Sequence, residues 1–416
     1  MNLCNIDHII FANHALDESE TLYKRIKEAV MPFYVKQGEI PTKRHIAFEK
    51  DNGELYREEL FSTHGFSNIY SNKYHHNMPT KAINVVPYAV DHGQEWQDSL
   101  IQNYKLDSRI ADCEGNFFSS RNKIFYNSDV ALYTAKVTDS TDEFYRNAYA
   151  DEVVFVHEGE GQLLSEYGVI EVKKWDYLVI PRGTTYQLTF NDYSNVRLFV
   201  IESFSMVEVP KHFRNEYGQL LESAPYCERD IRVPELANAI VEKGEFPLVC
   251  KFGDKYQQMT LEWHPFDLVG WDGCVYPWAF NIEEYAPKVG KIHLPPSDHL
   301  VFTAHNFVVC NFVPRPYDFH PKSIPAPYYH NNIDSDEVLY YVDGDFMSRT
   351  GIEAGFMTLH QKGVPHGPQP GRTEASIGKK DTYEYAVMVD TFAPLNLTSH
   401  VKSCMSEDYN RSWLEN

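Results

Sequence analysis

The chain has 416 residues, and its hydrophobic share of 43% and aromatic share of 14% provide a substantial core, which argues against intrinsic disorder. The formal net charge of −21 argues against nucleic-acid and anionic-membrane partners, because an acidic surface repels polyanions. Seven scattered cysteines without a CxxC pair indicate reduced thiols, and the N-terminus has no signal-peptide pattern. No apolar run is long enough to span a bilayer, so we expect a soluble, cytoplasmic protein.

Few segments have helical character. The first covers residues 18–30, with Asp17 as a candidate N-cap. The second covers residues 233–243, with Pro234 near its start and Gly244 directly after it. The rest of the chain consists largely of short apolar and aromatic runs, such as VRLFVIESF and EYAVMVDTF, separated by Gly, Pro, Asn and Asp. This pattern is typical of an all-β sandwich or barrel.

Two segments of the chain repeat one skeleton, in which an Asn is followed by a Glu and then by a Gly at the same spacings. Each segment continues into a strand and a turn that carries a Gly three positions before a final side chain. A strand followed by such a turn is what a small barrel needs to fold back on itself. The positions are Asn147, Glu152, Gly159, Gly183 and Tyr186 in the first copy, and Asn332, Glu337, Gly344, Gly363 and His366 in the second.

This skeleton resembles the motifs of the cupin family, and the resemblance implies a double-stranded β-helix barrel with a metal in its mouth. Two copies imply a mainly β bicupin with a few peripheral helices. We expect residues 1–120 to form an N-terminal extension with strands that pack on the barrels. Residues 121–225 would form an N-terminal cupin-like barrel without a complete metal site, and residues 226–416 a C-terminal barrel with the metal site.

The second copy of the motif carries the candidate metal ligands His330, Glu337 and His366. Two histidines and one carboxylate leave open coordination positions, which suit an Fe(II) ion that must hold both O₂ and a substrate. Zinc, manganese or nickel can use the same ligands, so the ligand types alone do not identify the metal. The matching positions of the first copy, Tyr145, Asn147, Glu152 and Tyr186, include a single carboxylate, so we expect that barrel to be structural.

A longer set of motifs is more specific. Residues 327–332 (PYYHNN), 335–337 (SDE) and 359–368 (LHQKGVPHGP) follow one another in the order of the corresponding homogentisate 1,2-dioxygenase motifs. Residues 265–271 and 34–41 also resemble that family. The resemblance extends from about residue 31 to residue 395 and is closest to the compact bacterial branch.

The resemblance implies Fe(II) held by His330, Glu337 and His366, and it implies a homo-oligomer, either a trimer or a hexamer. It also implies that both atoms of O₂ enter a dihydroxylated aromatic ring, so that homogentisate gives maleylacetoacetate in tyrosine and phenylalanine catabolism. His360 would contact the substrate and move the phenolic proton. The other implied pocket residues are Tyr328, Tyr329, Phe346 and Asp272.

Three positions depart from the family pattern. Asp272 stands where relatives carry His, Phe346 lies close to a Tyr position, and Asn331 replaces an Arg directly after the first ligand. Because Asp272 is a poor partner for a substrate carboxylate, gentisate or another substituted hydroquinone remains an alternative substrate.

Two other classes of protein also remain open. A non-redox, metal-dependent cupin isomerase that acts on a sugar phosphate would need clustered cations, which the motifs lack, and a non-catalytic cupin would not need three ligands. Arg315 and Arg349 lie near the motifs and are equally compatible with a pocket or with solvent. No motif supports a role for the remaining candidate histidines, for which surface or loop positions are expected: His64, His75, His76, His293, His299, His305 and His320.

Overall fold

The computed structural model describes residues 32–80, 82–91, 93–110, 113–290 and 294–414. The helix predicted over residues 18–30 lies outside this part of the chain. The described chain is mainly β, as predicted. None of the helices found in it is long and apolar enough to cross a membrane.

The strands in chain order are β1 Val35–Gly38, β2 Arg57–Ser62, β3 Tyr70–His75, β4 Ala82–Tyr88, β5 Tyr104–Asp107, β6 Glu114–Gly115, β7 Arg121–Tyr126, β8 Val130–Val137, β9 Phe144–Asn147, β10 Asp151–Glu158, β11 Gly161–Ser165, β12 Gly168–Val172, β13 Asp176–Ile180, β14 Tyr186–Phe190, β15 Val196–Ser203, β16 Ile231–Arg232, β17 Lys243–Phe252, β18 Lys255–Trp263, β19 Leu268–Gly273, β20 Trp278–Asn281, β21 Leu300–Ala304, β22 Phe307–Phe312, β23 Arg315–Pro316, β24 Asp336–Gly344, β25 Phe356–His360, β26 Asp381–Thr382, β27 Glu384–Thr391 and β28 Asn396–Leu397. The α-helices of the described residues are α1 Arg372–Ser376 and α2 Ser399–Cys404, and 3₁₀ turns cover Lys211–Phe213, Glu228–Asp230, Ile282–Glu284, Pro296–Asp298 and Tyr409–Arg411.

Two facing sheets build the first barrel. A nine-stranded sheet has the order β16-β20-β13-β10-β15-β8-β7-β28, with β6 beside β8, and a seven-stranded sheet has the order β12-β11-β14-β9-β17-β18-β4. Val154 and Leu178 from the first sheet share one buried cluster with Leu163, Leu188 and Val249 from the second. Two sheets that enclose a common apolar core give the barrel that the repeated motif predicts.

The second barrel packs against the outer face of the first. Its main sheet has the order β21-β22-β27-β24-β25-β5, and β23 pairs with β26 beside it. Strands β10 and β15 are buried on both faces, which explains their nearly continuous apolar sequences. On the face turned away from the first barrel's interior, Phe199 stacks on Tyr340 with ring centroids 4.8 Å apart. One large core therefore joins the two halves of the bicupin.

The strand pairing shows where the chain passes from one barrel to the other. Strands β17, β18 and β20 all pair within the sheets of the first barrel, and apart from β5 the strands of the second barrel's main sheet begin at Leu300. The predicted boundary between residues 225 and 226 therefore lies well before this change of pairing. A separate four-stranded sheet, β1-β19-β3-β2, combines N-terminal strands with β19.

The helix predicted over residues 233–243 is wrong. The segment is extended, and Glu235 exchanges two backbone hydrogen bonds with Val169, each 2.9 Å long. A carbonyl and an N–H that pair with another strand are not available to an intrahelical ladder, so tertiary pairing overrides the local helical pattern.

The repeated motif folds in the same way in both halves. The N–H of Gly183 donates to the carbonyl of Asn147 at 2.8 Å, and the N–H of Gly363 donates to the carbonyl of Asn332 at 3.0 Å. Both glycines have positive φ, +86° and +80°, which a side chain would disfavour. These matched turns bring the final residue of each motif back to the motif's glutamate.

In the first barrel an arginine side chain fills the position next to that glutamate. Arg121 and Glu152 are fully buried and form an ion pair, and Arg121 Nη1 also lies 3.3 Å from Glu202 Oε1. The hydroxyl of Tyr186 donates to Glu152 Oε2 at 2.7 Å. The carboxylate of Glu152 is thus neutralised by an internal cation.

We expect Arg121→Met to lower the free energy of unfolding by about 3–5 kcal/mol, because Glu152 stays buried without its cation. The matched control is Arg109→Met, since Arg109 is more exposed and its ion pair with Asp107 at the surface is worth at most about 1 kcal/mol. Urea unfolding, followed by fluorescence and circular dichroism together, gives both values. A loss below about 1 kcal/mol for Arg121→Met would contradict the assigned role.

Candidate metal centre

Two histidines of the second motif are held side by side by their own backbones. The N–H of His330 donates to the carbonyl of His366 at 2.8 Å, and the N–H of His366 donates back to the carbonyl of His330 at 2.9 Å. Their ring centroids are 4.3 Å apart. The glycine turn at Gly363 and the extended segment before His330 therefore place both rings at one point.

Hydrogen bonds to carbonyl groups also fix the tautomer of each ring. Nδ1 of His330 lies 2.9 Å from the carbonyl oxygen of Tyr328, and Nδ1 of His366 lies 3.1 Å from that of Val364. Because a carbonyl only accepts, each Nδ1 carries a proton, which leaves Nε2 as the ring nitrogen that can bind a metal. This is the arrangement by which proteins orient histidine ligands of a metal.

Glu337 completes the group from strand β24. One ligand atom each from His330, Glu337 and His366 lie within 4.8 Å of one another. Nε2 of His366 is buried without a hydrogen-bond partner and is 3.6 Å from Oε1 of Glu337. A lone pair and a carboxylate oxygen that face each other in a buried site call for a cation between them. This donor set can hold a divalent metal and leaves coordination positions for other ligands.

A second group of possible metal ligands is equally compact, but a lysine side chain already lies among its carboxylates. Glu59, His75 and Glu166 also lie within 4.8 Å of one another. The ammonium group of Lys73 is 2.8 Å from Glu59 and 3.0 Å from Glu166, so it occupies the place of an ion. His75, expected at the surface or in a loop, is instead buried in strand β3.

His360 lies behind the three ligands and contacts one of them. It pairs with Glu337 across strands β24 and β25, and its Nδ1 donates to Glu337 Oε1 at 2.8 Å. Its Nε2 is 3.4 Å from the Tyr409 hydroxyl and 3.4 Å from Arg349 Nη2. Burial lowers the pKa of His360 to about 3, so the ring is neutral. This geometry makes His360 a positioning residue for Glu337, and its predicted contact with a substrate stays a prediction.

A cavity of about 260 Å³ opens in front of His330 and Glu337. Of the predicted pocket residues, Tyr328 and Phe346 line it, and Phe346 packs edge-on against Tyr341 with centroids 4.6 Å apart. Tyr329 is exposed and covers Gly367, where an added Cβ would come within 2.7 Å of the Tyr329 ring.

Asp272 is not brought to this cavity. It belongs to strand β19, in the separate sheet with β1, and its carboxylate accepts a hydrogen bond of 3.1 Å from the Tyr34 hydroxyl. The motif places Asp272 one residue after Trp271, but the pairing of β19 with β1 directs this stretch into another sheet. The structure therefore gives no support to Asp272 as a partner of the substrate, and the objection to an acidic substituent no longer applies.

Three polar residues that no motif identified also line the cavity: His299, Arg315 and Glu384. His299, expected at the surface or in a loop, is buried, and burial lowers its pKa to about 4. Burial raises the pKa of Glu384, which favours its neutral form. Nη1 of Arg315 is buried and has no hydrogen-bond partner. Arg315 and Arg349 both line the cavity, and neither forms an ion pair with a carboxylate of the described residues, in contrast to the cation-poor pocket that the motifs suggested.

Arg349, the second arginine near the motifs, is buried and donates to the carbonyl of Gly367 at 2.6 Å. Together with Tyr409 from the C-terminal segment, it supports His360 from behind. The position of Tyr409 in the sequence, far from the motifs, carries no signal of this role.

We expect His366→Ala to abolish tight binding of one Fe(II) per chain, because two donors cannot replace three. Anaerobic isothermal titration with Fe(II) measures the affinity, and His299→Ala is the matched control, since His299 lies on the cavity wall outside the donor set. Unchanged binding by His366→Ala would contradict the assigned metal centre.

His360→Ala should weaken Fe(II) binding by roughly 10- to 100-fold without abolishing it, because Glu337 loses the hydrogen bond that orients it. The same titration ranks the three proteins: wild type, His360→Ala and His366→Ala. If His360→Ala loses the metal as completely as His366→Ala, His360 is a ligand and its assignment as a positioning residue is wrong.

Comparison with known proteins places the chain among dioxygenases. Two family models match, one described as "Homogentisate 1,2-dioxygenase N-terminal" at residues 116–282 and one as "Homogentisate 1,2-dioxygenase C-terminal" at residues 280–415. A "putative dioxygenase" of Saccharolobus solfataricus is 45% identical over 386 residues, which cover 92% of this chain and 99% of that protein.

More distant relatives include proteins named homogentisate 1,2-dioxygenase. That of Bradyrhizobium diazoefficiens is 26% identical over 302 residues, which cover 68% of this chain and 66% of the relative. That of Emericella nidulans is 27% identical over 255 residues, which cover 58% of this chain and 54% of the relative. The chain belongs to the homogentisate 1,2-dioxygenase family.

Proposed function

We propose that the protein is an Fe(II)-dependent dioxygenase that inserts both atoms of O₂ into homogentisate and yields maleylacetoacetate, a step of tyrosine and phenylalanine catabolism. Membership of the family supports the reaction class. The observation that carries the proposal is the buried, unpartnered Nε2 of His366, which faces Glu337 beside His330 at the edge of an aromatic-lined cavity.

His330, Glu337 and His366 would hold the iron. Bound Fe(II) would supply a centre that accepts O₂ and a ring hydroxyl together and transfers charge between them. The protein's own task is then to orient the ring and to exclude water. Phe346 and Tyr341 form an apolar wall for the ring, and the barrel strands around Glu337 are buried.

Arg315 supports a substrate with an acidic substituent. Its guanidinium has no carboxylate partner within ion-pair distance in the described part of the chain, and its Nη1 is buried in the cavity wall. An unpaired buried cation is costly, and a substrate carboxylate would neutralise it. This favours homogentisate over plain hydroquinone. Gentisate, which is also acidic, is the alternative that the test must separate.

The proposal also covers the reactants and the oligomeric state. We propose a small aromatic substrate and O₂ as the reactants, and a homo-oligomer, a trimer or a hexamer, as the working assembly in the cytoplasm. Light scattering of the purified chain measures the number of subunits.

The test is O₂ uptake by anaerobically Fe(II)-loaded protein with homogentisate, gentisate and hydroquinone in parallel. We expect uptake with homogentisate and growth of the absorbance of maleylacetoacetate, with loss of both in His366→Ala. Uptake with gentisate or hydroquinone alone would keep the reaction class and replace the substrate. Absence of uptake in iron-loaded protein would reject the dioxygenase and favour a non-redox, metal-dependent cupin isomerase.

Arg315→Gln should raise KM for homogentisate by roughly 10- to 100-fold, because a hydrogen bond between charged groups is lost. The rate with hydroquinone, which has no carboxylate, should change little. Arg109→Gln is the matched control, since Arg109 pairs with Asp107 and Glu353 at the surface. Equal losses for the acidic and the neutral substrate would show that Arg315 acts on the fold and not on the substituent.

A further inference from the structure

A second cavity, of about 470 Å³, lies beside the motif turn of the first barrel at Gly183. Strands β2, β3 and β18 and the turn at Gly183 form its walls. It shares no lining residue with the cavity at the metal centre. The proposed reaction therefore makes no use of it.

Each acidic side chain discussed here already has a lysine or histidine partner. Glu59 and Glu166 share the ammonium group of Lys73, as described above. Asp267 accepts from Nδ1 of His75 at 2.7 Å, and Nε2 of the same ring is 2.8 Å from Glu59. Although burial opposes it, Lys73 and His75 hold the pKa of Glu59 below its usual range. These acids are therefore poorly placed to recruit a further cation.

One cation of the wall has no such partner. Arg146 donates from Nε and from Nη2 to the hydroxyl oxygen of Thr185, at 3.0 and 2.5 Å, but no carboxylate of the described residues lies within ion-pair distance of its guanidinium. The neighbouring Arg182 differs, since its Nε is 2.8 Å from Asp151. Arg146 is thus a guanidinium on a cavity wall without an ion-pair partner among the described residues, and its Nη1–Nη2 edge is the one left for a ligand.

The strand register places apolar side chains beside Arg146. Arg146 of β9 is directly opposite Cys250 of β17, which is opposite Gln257 of β18. Side chains at two-residue spacing along β18 share that face. Met259, Leu261 and Trp263 continue it, and all three line the cavity. On this face of the sheet, the guanidinium of Arg146 therefore lies next to an apolar surface.

We propose that this cavity binds a small organic carboxylate with an aliphatic body. Its carboxylate would form an ion pair with Arg146, and its body would lie along Met259 and Leu261. The guanidinium supplies paired donors that match a carboxylate, and the burial of the aliphatic body adds a hydrophobic contribution. The site would be separate from the metal centre, and its occupation does not depend on the proposed dioxygenase activity.

The test titrates the full-length protein with hexanoate, followed by ligand-observed NMR and calorimetry. Hexanamide, of nearly the same shape but uncharged, is the matched probe. We expect hexanoate to bind and Arg146→Gln to weaken it by at least about tenfold, because a charged hydrogen-bonded pair is lost. Arg146→Lys, which keeps the charge but not the paired donors, should retain part of the affinity. Thermal melting confirms that each variant is folded.

Arg315→Gln is the control for the other cavity: it removes any binding of a carboxylate at Arg315, and the hexanoate binding that depends on Arg146 should remain. If Arg315→Gln removes binding and Arg146→Gln does not, the probe occupies the cavity at the metal centre and the proposal is wrong. Equal affinities for hexanoate and hexanamide would also overturn it, since the charge would then play no part. Absence of hexanoate binding by the folded wild-type protein would overturn it directly.

Discussion

A buried, ionised carboxylate needs a compensating charge, and this requirement shapes the polar interior of the protein. The fold meets it repeatedly with its own side chains, since Arg121 neutralises Glu152 and Lys251 pairs with Glu202 in the first barrel, and Lys73 pairs with Glu166. At Glu337 the described residues within ion-pair distance are histidines alone, and Nε2 of one of them, His366, has no hydrogen-bond partner. No lysine or arginine of the described residues pairs with Glu337, so a metal ion is the cation that we propose for this place.

The two halves of the chain show how one backbone gives two outcomes. The same glycine N–H to asparagine carbonyl bond closes both motifs, so the difference lies in the side chains at the ligand positions. Where the second half has His366, the first has Tyr186, whose hydroxyl donates to Glu152. A donor satisfies a carboxylate but offers a poor lone pair to a metal. In the first half, tyrosines stand at both histidine positions and the guanidinium of Arg121 pairs with Glu152, so these side chains belong to the core.

The sequence predicted the features that depend on a repeated pattern or on residues close together in the chain. The repeated skeleton marked both barrels, and the compact ligand set follows from one strand and one turn whose residues lie close together in the chain. The helix over residues 233–243 was predicted wrongly because its backbone pairs with Val169, more than sixty residues earlier. The sequence left the position of Arg315 open and gave no sign of Tyr409 for a related reason. Their roles arise from the pairing of β23 with β26 and from the packing of the C-terminal segment, neither of which leaves a pattern in neighbouring residues.

Arg315 and Arg146 matter for anion binding because the rest of the protein is acidic. In a chain with a formal net charge of −21, the average field repels anions, and that field is screened beyond about 8 Å at physiological ionic strength. Selection of an anion must therefore come from cations inside cavities, where screening is weak. Arg315 and Arg146 are such cations, each on the wall of a different cavity and each without a carboxylate partner among the described residues. The two proposed sites for acidic molecules would accordingly act at short range, and the acidic surface would oppose the approach of their ligands.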